Sequence, residues 1–331
     1  MRHPLIALAA LLASSGLALI LWTAGLSPWL DVFRQLWVVW VIAGSLCLAI
    51  TLANRMRWAK WANALLLCAI MAPGLPETIA RRTSGPLVSV PGGDLVRLVT
   101  HNMWVANIAP ERTRTLLTEL DADIMALQES NGRAAEAGFQ LADQYPHAAR
   151  CRSTRILSRF EIVASGCLEV PGQINWATAI PCDWEIPPGV WARIQLPSGR
   201  EAIFISTHLT WPIPGDTQMC QRNGLGKALA EWAGEPVVLM GDFNAAAPSL
   251  ALRRMEEAYG LERRSRGIAT YPSRSRFEAA GLPLPVADPM LIGIDHIFAS
   301  ADWWTQAIAC GPDTGSDHRP LVATLILRDT N

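Results

Sequence analysis

Three long apolar runs fill most of the first 75 residues, and they constrain the fold more than any other feature of this 331-residue chain. They cover about residues 5–26, 36–53 and 58–75. A helix needs ~20 mostly apolar residues to cross the hydrocarbon core of a bilayer. The first two runs meet this requirement, and the third meets it if its helix extends back past Lys60, whose amine would then reach the interface. The sequence therefore predicts a membrane anchor over residues 1–75 with three transmembrane helices, which makes this a multi-pass membrane protein.

A cleaved signal peptide is the alternative for the first run, because Arg2 and His3 precede Ala-rich sequence. The apolar core is longer than that of a signal peptide, and two more apolar runs follow it. A retained anchor is the favoured interpretation.

The loops between the runs differ in charge. The loop at 54–60 carries three basic residues, whereas Ser27–Gln35 carries only Arg34, offset by Asp31. Because basic loops stay in the cytoplasm, three spans would place the rest of the chain outside it, in the periplasm if the membrane is a bacterial inner membrane. If the third run does not span, the rest of the chain stays cytoplasmic.

The part of the chain after the anchor is acidic. Residues 1–75 hold five of the 28 Lys and Arg and one of the 29 Asp and Glu, so residues 76–331 have a net charge near −5. This balance argues against a tight, sequence-indifferent nucleic-acid binder. Five of the seven cysteines lie here without a C-x-x-C motif, which permits one or two disulfides outside the cytoplasm but does not identify their pairing.

Residues 76–93 are predicted to be a linker, and residues 94–331 a single α/β domain. Short apolar strands alternate with amphipathic helices, which indicates stacked layers of sheet and helix. The predicted helices are Pro110–Leu120, Arg133–Gln144, Asp216–Trp232 and Ser249–Tyr259. The Arg- and Pro-rich stretch 263–293 is predicted to be a long connection.

Polar residues recur where the predicted strands end. These residues are Asn102, Glu129, His208, Asp242 with Asn244, Asp295, and Asp317 with His318. Turn formation alone does not explain six such coincidences, although Asp242-Phe243-Asn244 taken singly fits a capped turn and Glu129 taken singly fits a helix cap. The pattern predicts a site at one edge of stacked sheets.

The residue types in this set suit phosphoester chemistry. In an extended segment Asp242 and Asn244 face the same side, where they can hold and orient a water molecule. Glu129, assisted by Asn102, offers the oxygen ligands that Mg²⁺ prefers.

Two histidines complete the set. The imidazoles of His208 and His318 can donate hydrogen bonds to phosphate oxygens, and Asp295 can stabilise the charged form of His318. Together the residues predict in-line attack of water on a phosphoester.

The ordered motifs resemble those of the endonuclease/exonuclease/phosphatase superfamily over about residues 95–327. The resemblance rests on Asn102, Gln128-Glu129, Thr207-His208-Leu209, Gly241-Asp242-Phe243-Asn244, Ile294-Asp295-His296 and Ser316-Asp317-His318-Arg319-Pro320. It implies a four-layer α/β/β/α sandwich, here preceded by transmembrane helices, and an Mg²⁺- or Mn²⁺-dependent hydrolase of the phosphodiesterase, nuclease or phosphatase type.

The resemblance also implies roles for individual residues. Glu129 would be the metal carboxylate, with Asn102 and Asp317 next to the metal. Catalysis would rest on five residues: His208, Asp242, Asn244, Asp295 and His318. Arg159, in a Ser-Arg-Phe element, would bind substrate, and Thr270-Tyr271-Pro272 resembles a turn of the family. The motif at Asn102 lacks the acid that abasic-site endonucleases have two residues later, which weakens a DNA-repair assignment.

Two functions remain open. The first is a membrane-anchored phosphoesterase acting on a phosphodiester or a phosphomonoester, with a phospholipid headgroup, a nucleic acid or a sugar phosphate as the substrate. The second is a non-catalytic module that retains the fold and binds an anionic ligand, for which the basic cluster at 263–276 would be the binding surface. That cluster is equally consistent with a solvated loop. No obligate protein partner is evident from the sequence.

Overall fold

The part of the chain that follows the N-terminal helices consists of two sheets with helices on both outer faces. The computed structural model describes residues 4–82, 93–168, 188–213, 215–282 and 289–328. Its helices are α1 (Pro4–Thr23), α2 (Pro28–Gln35), α3 (Trp37–Leu52), α4 (Arg57–Met71), α5 (Leu75–Arg82), α6 (Pro110–Glu119), α7 (Ala135–Ala142), α8 (Gly215–Leu229), α9 (Leu250–Tyr259) and α10 (Arg274–Ala279). Its strands are β1 (Asp94–Asn102), β2 (Ile124–Gln128), β3 (His147–Cys151), β4 (Thr154–Ser158), β5 (Ile162–Cys167), β6 (Gly189–Gln195), β7 (Glu201–His208), β8 (Val237–Asp242), β9 (Glu262–Arg263), β10 (Asp295–Ala299), β11 (Trp303–Cys310) and β12 (Leu321–Leu327).

Each sheet has six strands and a parallel pair at its centre. The strand orders are β11-β12-β1-β2-β4-β3 and β5-β6-β7-β8-β10-β9. The pairs β1/β2 and β7/β8 run parallel, and the other pairings are antiparallel. Polar side chains at the ends of the parallel strands therefore meet at one edge of the two sheets.

Three apolar clusters hold the layers together. The cluster between the sheets includes Val96, Leu98, Phe204, Met240, Ile297 and Trp303. The outer face of the first sheet packs on α6 and α7 through residues such as Val99 and Leu117. The outer face of the second sheet packs on α8 and α9 through Leu239 and Met255. Helix, sheet, sheet and helix thus form the four-layer sandwich that the sequence predicts.

The N-terminal region is helical. The stretches Pro4–Leu26 and Arg57–Ala80 are long and apolar enough to cross a membrane, and a third crossing results if α2 and α3 are one span. The axes of α2 and α3 differ by 67°, and α3, which covers most of the second predicted span, is 16 residues long. The segment predicted to be a linker from residue 76 begins as a helix, because α5 extends to Arg82.

Several elements differ from the sequence-based predictions. The stretch 263–293 is not wholly irregular, because it contains Arg263 of β9 and the short helix α10. Strands β3 and β11 were not predicted, since their exposed residues break the apolar pattern. A disulfide joins Cys151 to Cys167, and Cys220 is also disulfide-bonded.

Two buried histidines predict a loss of stability in acid. Burial lowers the pKa of both His101 and His296 to about 3, so the folded chain keeps them neutral while the unfolded chain protonates near pH 6.5. Their contribution to stability is therefore lost as the pH falls from about 6.5 towards 3, by about 1.4 kcal/mol per pH unit for each histidine.

Urea unfolding of the full chain in detergent micelles between pH 4 and 6 measures this loss. The slope of the unfolding free energy against pH should be less positive by about 1.4 kcal/mol per pH unit in His296→Gln than in the wild type. An identical slope in the two proteins would contradict a neutral, buried His296.

Candidate active site

The strand directions bring the polar motifs to one edge. Asn102 ends β1, Glu129 follows β2, and His208 and Asp242 end β7 and β8. The antiparallel strand β10 starts at the same edge, because Asp295 pairs with Asp242. Strand β12 starts there too, because Leu321 pairs with Thr100, and this brings the preceding Asp317 and His318 to the edge.

Gly241 makes the close pairing of β7 and β8 possible. Its φ is +151°, and a Cβ at this position would lie 1.9 Å from the carbonyl oxygen of Thr207. Any other residue would push the strands apart. Glycine therefore keeps His208 opposite Asp242 in the parallel register.

The carboxylate of Asp242 lies at the centre of the site. It is 1% exposed, its Oδ2 accepts a hydrogen bond from Nδ2 of Asn102 at 2.9 Å, and its Oδ1 accepts one from the backbone N–H of Asn244 at 2.8 Å. Nε2 of His208 lies 3.4 Å from Oδ2, and Nε2 of His318 lies 3.7 Å from it. Burial raises the pKa of Asp242, although the two histidines oppose the shift.

His318 and Asp295 form a buried ion pair. Nδ1 of His318 donates to Oδ2 of Asp295 at 2.9 Å, and Oγ1 of Thr270 donates to the same oxygen at 2.6 Å. Burial opposes the charge on the imidazole, but Asp295 and Asp242 outweigh it and raise the pKa of His318 to about 10. The pKa of Asp295 is lowered despite its burial, because His318 stabilises the carboxylate. His318 is therefore an imidazolium at neutral pH, with Nε2–H facing the site.

The carboxylate of Glu129 shares the side-chain amide of Asn102 with Asp242. Oε1 of Glu129 accepts from Nδ2 of Asn102 at 3.0 Å, and Oε2 accepts from the backbone N–H of Val105 at 2.8 Å. Asn102 thus bridges the carboxylates of Glu129 and Asp242, and its own oxygen accepts from Trp104 N–H. Glu129 has a φ of +50°, an uncommon conformation outside glycine that the surrounding bonds hold in place.

Asp317 has an unused ligand atom. Its Oδ1 is buried and has no hydrogen-bond partner among the described residues, and it lies 3.9 Å from Nε2 of His318. Burial raises the pKa of Asp317 to about 6. A buried carboxylate oxygen without a donor is the kind of group that a divalent cation satisfies.

A second set of groups could hold a metal by geometry alone. Ligand atoms of Asp242, Asp295 and His318 lie within 4.8 Å of one another. The hydrogen bond between His318 and Asp295 accounts for two of the three, and a charged imidazole at this place would repel a cation. The donor chemistry therefore fits a hard cation better at Glu129 and Asp317 than at this set.

The structure does not bring Arg159 to the cluster. β4 runs antiparallel to β2, so Arg159 lies near the start of β2, at the other end of that strand from Glu129. There it hydrogen-bonds to Asp121 and lies 3.8 Å from Asp123. The predicted substrate-binding role for Arg159 has no geometric basis, since the Ser-Arg-Phe element turns the chain at the far end of the sheet.

Most of the basic cluster at 263–276 is also occupied. Arg263 is buried and paired with Glu77, Arg264 lies 2.8 Å from Glu262, and Arg266 lies 2.5 Å from Glu256. These pairs account for the positive charge that would have supported an anion-binding module. The burial of Arg263 and its pairing with Glu77 also exclude the alternative that this residue lies in a freely solvated loop.

Three residues at the mouth of the site were not predicted individually. The ring of Tyr271 lies 5.0 Å from that of His318, and the guanidinium of Arg276 lies 6.0 Å from the ring of Trp104. Two sequence signals pointed to this place, the Thr270-Tyr271-Pro272 turn and the basic cluster at 263–276, but neither assigned a role to these individual side chains. Gln128, by contrast, acts inside the fold, where it donates to Ser206 of the other sheet at 2.9 Å.

Comparison with known proteins agrees with this fold and edge. A profile of the Endonuclease/Exonuclease/phosphatase family matches residues 99–318, and the chain belongs to this family. Members of the family are metal-dependent phosphoesterases. No curated protein sequence matches the chain.

Solved structures share the fold at low sequence identity. An endonuclease/exonuclease/phosphatase from Bacteroides vulgatus is 16% identical, with 71% of this chain and 99% of that chain covered and a TM-score of 0.57. Sphingomyelinase C from Streptomyces griseocarneus is 16% identical, with 70% and 99% covered and a TM-score of 0.50. A humanized D. rerio TDP2 is 14% identical, with 70% and 98% covered and a TM-score of 0.51. At these identities the similarity establishes the fold alone.

The ion pair predicts a change in the titration of His318. Asp295→Asn removes the charge that stabilises the imidazolium, so the pKa of His318 should fall well below about 10. Thr270→Val removes one hydrogen bond to Asp295 but leaves its charge, so its effect should be smaller. NMR titration of the full chain with labelled histidine measures both values. An unchanged pKa of His318 in Asp295→Asn would contradict the pairing.

Proposed function

We propose that the chain is a membrane-anchored phosphoesterase that uses Mg²⁺ or Mn²⁺ to hydrolyse a phosphodiester by in-line attack of water. The observation that carries the proposal is the buried Asp242 carboxylate, whose Oδ2 has Nε2 of His208 and Nε2 of His318 at 3.4 and 3.7 Å. The unsatisfied Oδ1 of Asp317 lies 3.9 Å from the same Nε2 of His318. This arrangement places a proton acceptor, two hydrogen-bond donors and a cation ligand around one space. Membership of the family supports the reaction class.

The residues on the Glu129 side would hold the metal. Glu129 and Asp317 offer carboxylate oxygens, and Asn102 orients Glu129 through its side-chain amide. A bound divalent cation supplies Lewis-acid polarisation of a phosphate oxygen and offsets the charge that develops there.

Asp242 and Asn244 would manage the attacking water. Asp242 accepts three hydrogen bonds from the protein, the longest from Nδ2 of Asn244 at 3.4 Å, so one of the roughly four lone-pair directions of its carboxylate stays available for a water proton. Nδ2 of Asn244 donates to Leu209 O at 2.9 Å and lies 3.4 Å from Nε2 of His208. These contacts aim the amide at the space between His208 and Asp242, where a water oxygen would face the phosphorus.

The histidines would bind the phosphate. His318, charged and held by Asp295, donates from Nε2, and His208 supplies a second imidazole, whose Nε2 lies 3.4 Å from Oδ2 of Asp242. The water oxygen bonds to phosphorus as the ester P–O bond breaks, and Asp242 takes the proton that the water loses. The departing oxygen takes a proton from solvent, and Asp242 later returns its own proton to solvent. Donors placed before the reaction stabilise the developing charge without reorganisation.

A lipid headgroup is the substrate class that the surroundings favour. Trp211 and Ile213 follow His208 closely and are 68% and 59% exposed. Gly215, the first residue of α8, packs against Pro28, which begins α2 of the N-terminal region. Apolar side chains beside the site and close to the anchor suit a substrate that lies in a bilayer.

The helices support a topology with the catalytic domain outside the cytoplasm. α2 and Glu77 of α5 both contact the catalytic domain, so both lie on its side of the membrane. Three crossings by α1, α3 and α4 then place the N-terminus and the basic 54–60 loop on the other side, as positive-inside predicts. The disulfide between Cys151 and Cys167 is consistent with an oxidising compartment.

The reaction predicts loss of turnover in two single variants. Glu129→Gln removes a metal carboxylate and His318→Gln removes a charged donor, so each should lower turnover of a phosphodiester by at least ~100-fold. Wild-type turnover should disappear with EDTA and return with Mg²⁺ or Mn²⁺. Full-length protein in nanodiscs is assayed on bis-p-nitrophenyl phosphate, DNA and phospholipid vesicles.

A matched change nearby provides the control. Glu136 lies on the exposed face of α7 and hydrogen-bonds to Gln140, so Glu136→Gln should retain wild-type turnover. Wild-type turnover on none of the substrates with either metal would refute the proposed function, and turnover by Glu129→Gln equal to that of the control would refute the role of Glu129.

The topology predicts opposite labelling of two positions. In spheroplasts, a membrane-impermeant maleimide should label Glu119→Cys, on the exposed surface of α6, without permeabilisation. Arg55→Cys, between α3 and α4, should be labelled only after the membrane is permeabilised. Labelling of the wild-type chain measures the background signal from the native cysteines. The reverse pattern would place the catalytic domain in the cytoplasm.

A further inference from the structure

We propose that Asp31 and Gln35 of α2 are positioning residues for Asn244, so that the N-terminal helical region is a structural part of the catalytic centre and not only a tether. The inference rests on the proposed function, because it assigns Asn244 to the attacking water. It depends on contacts between α2 and the segment Asn244–Ala251, which links β8 to α9.

Asp31 caps the helix that follows this segment. Its Oδ1 accepts from the backbone N–H of Leu250 at 2.8 Å, and its Oδ2 accepts from that of Ala251 at 2.9 Å. These are first-turn N–H groups of α9, which have no partner within the helix. Ser249, the N-cap of α9, accepts from Leu252 N–H. Asp31 is 7% exposed and is the only acidic residue among the first 75. Its carboxylate lies at the N-terminus of α9, where the helix dipole stabilises a negative charge.

Gln35 holds the same segment closer to the site. Its Oε1 accepts from the backbone N–H of Ala246 at 3.0 Å, and the side chains of Gln35 and Ala246 are both buried. Ala246 lies two residues after Asn244. On the other side, Nε2 of Gln218 donates to the carbonyl of Asn244 at 2.9 Å. The segment is thus held between α8 of the catalytic domain and α2 of the N-terminal region.

Asn244 depends on this support for its conformation. Its φ is +45°, its backbone N–H bonds to Asp242, and its amide bonds to Leu209. A left-handed residue persists where its surroundings determine it. Misplacement of a reacting group by 1 Å can lower a rate by about 100-fold, so loosening the segment should act on turnover.

A second contact restrains the neighbouring segment. Glu77 of α5 pairs with the buried Arg263 and accepts from the backbone N–H of Gly267 at 3.0 Å. His296 joins the two segments, with Nε2 2.9 Å from Ala245 O and Nδ1 2.9 Å from Oγ of Ser265.

A cavity of about 290 Å³, lined in part by Trp37, Glu77, Ala247 and Arg263, lies between the helical region and the catalytic domain.

A tether and a positioning element predict different kinetics on a soluble substrate. A tether only places the site near the bilayer, so changes in α2 would leave the turnover of bis-p-nitrophenyl phosphate unaltered. A positioning element alters kcat even when the substrate is soluble, and it leaves KM nearly unchanged because Asn244 orients the water rather than the phosphate.

The test uses the full chain in nanodiscs with Mg²⁺ or Mn²⁺ and bis-p-nitrophenyl phosphate. Asp31→Ala and Gln35→Met should each lower kcat by ~10-fold or more while KM changes by less than ~2-fold. Asp31→Asn, which keeps one acceptor oxygen, should fall between the wild type and Asp31→Ala. Wild-type kcat in both Asp31→Ala and Gln35→Met would overturn the inference while leaving the proposed function intact.

Asp94→Asn is the matched control for a general loss of stability. Asp94 is 6% exposed, and its carboxylate accepts from Ser198 N–H at 2.9 Å and from Arg200 at the opposite end of β1 from the site. This variant should be destabilised like Asp31→Asn but should keep the wild-type kcat. An equal loss of kcat in the two variants would overturn the positioning role.

A double-mutant cycle separates action through Asn244 from a general effect. In an Asn244→Ala background, Asp31→Ala should lower kcat by less than ~2-fold, because the group that it positions is already gone. Independent, multiplicative losses would overturn the inference.

Hydrogen exchange provides a readout that does not require turnover. Amides of residues 244–251 should exchange faster in Asp31→Ala and Gln35→Met, whereas those of β1 should not. Unchanged protection of 244–251 would overturn the inference even for a protein without measurable activity. Absence of wild-type turnover, by contrast, refutes the proposed function.

Discussion

The backbone of Gly241 lies against the carbonyl of Thr207 where the parallel strands β7 and β8 end, at a distance that leaves no room for a Cβ. This contact sets His208 beside Asp242, and the antiparallel register of β10 then sets Asp295 beside Asp242 as well. The first sheet repeats the plan, with Asn102 and Glu129 at the ends of its own parallel pair. The hydrogen bond from Asn102 to Asp242 joins the two halves.

Electrostatics distinguishes the part of the site around His318 from the part around Asp317. On one side, a charged His318 between Asp295 and Asp242 provides a positive donor deep in the protein, with Thr270 satisfying the shared carboxylate oxygen. On the other side, burial raises the pKa of Asp317 to about 6 and leaves one of its oxygens without a donor. The part around His318 already holds a charged imidazole that would repel a cation, whereas the part around Asp317 has an unmet acceptor that a cation would satisfy.

The strand ends were predictable because an apolar run that stops at an acid, an amide or a histidine is a local pattern. The four-layer fold and the convergence of Asn102, Asp242 and His318 followed from that pattern and from the resemblance to a family. The location of Arg159 was not predictable from its motif, since only the direction of β4 shows that it lies at the far edge. The contact of Asp31 with α9 was not predictable either. Asp31 accepts hydrogen bonds from Leu250 and Ala251, which follow it in the chain by 219 and 220 positions, and contacts between such distant residues leave no local sequence pattern.

The six functional positions are divided between two sheets, so the site has a mechanical vulnerability. Sliding of one sheet over the other would separate Glu129 from His208, which lie 3.8 Å apart across the interface. Cross-links outside the reacting groups oppose this shear. Among them, Gln128 bonds to Ser206 near the site, and the disulfide from Cys151 of β3 to Cys167 of β5 joins the sheets at their edge. The geometry of the reaction centre therefore depends on how rigidly the two sheets are held against sliding over each other, as much as on the side chains that line the site.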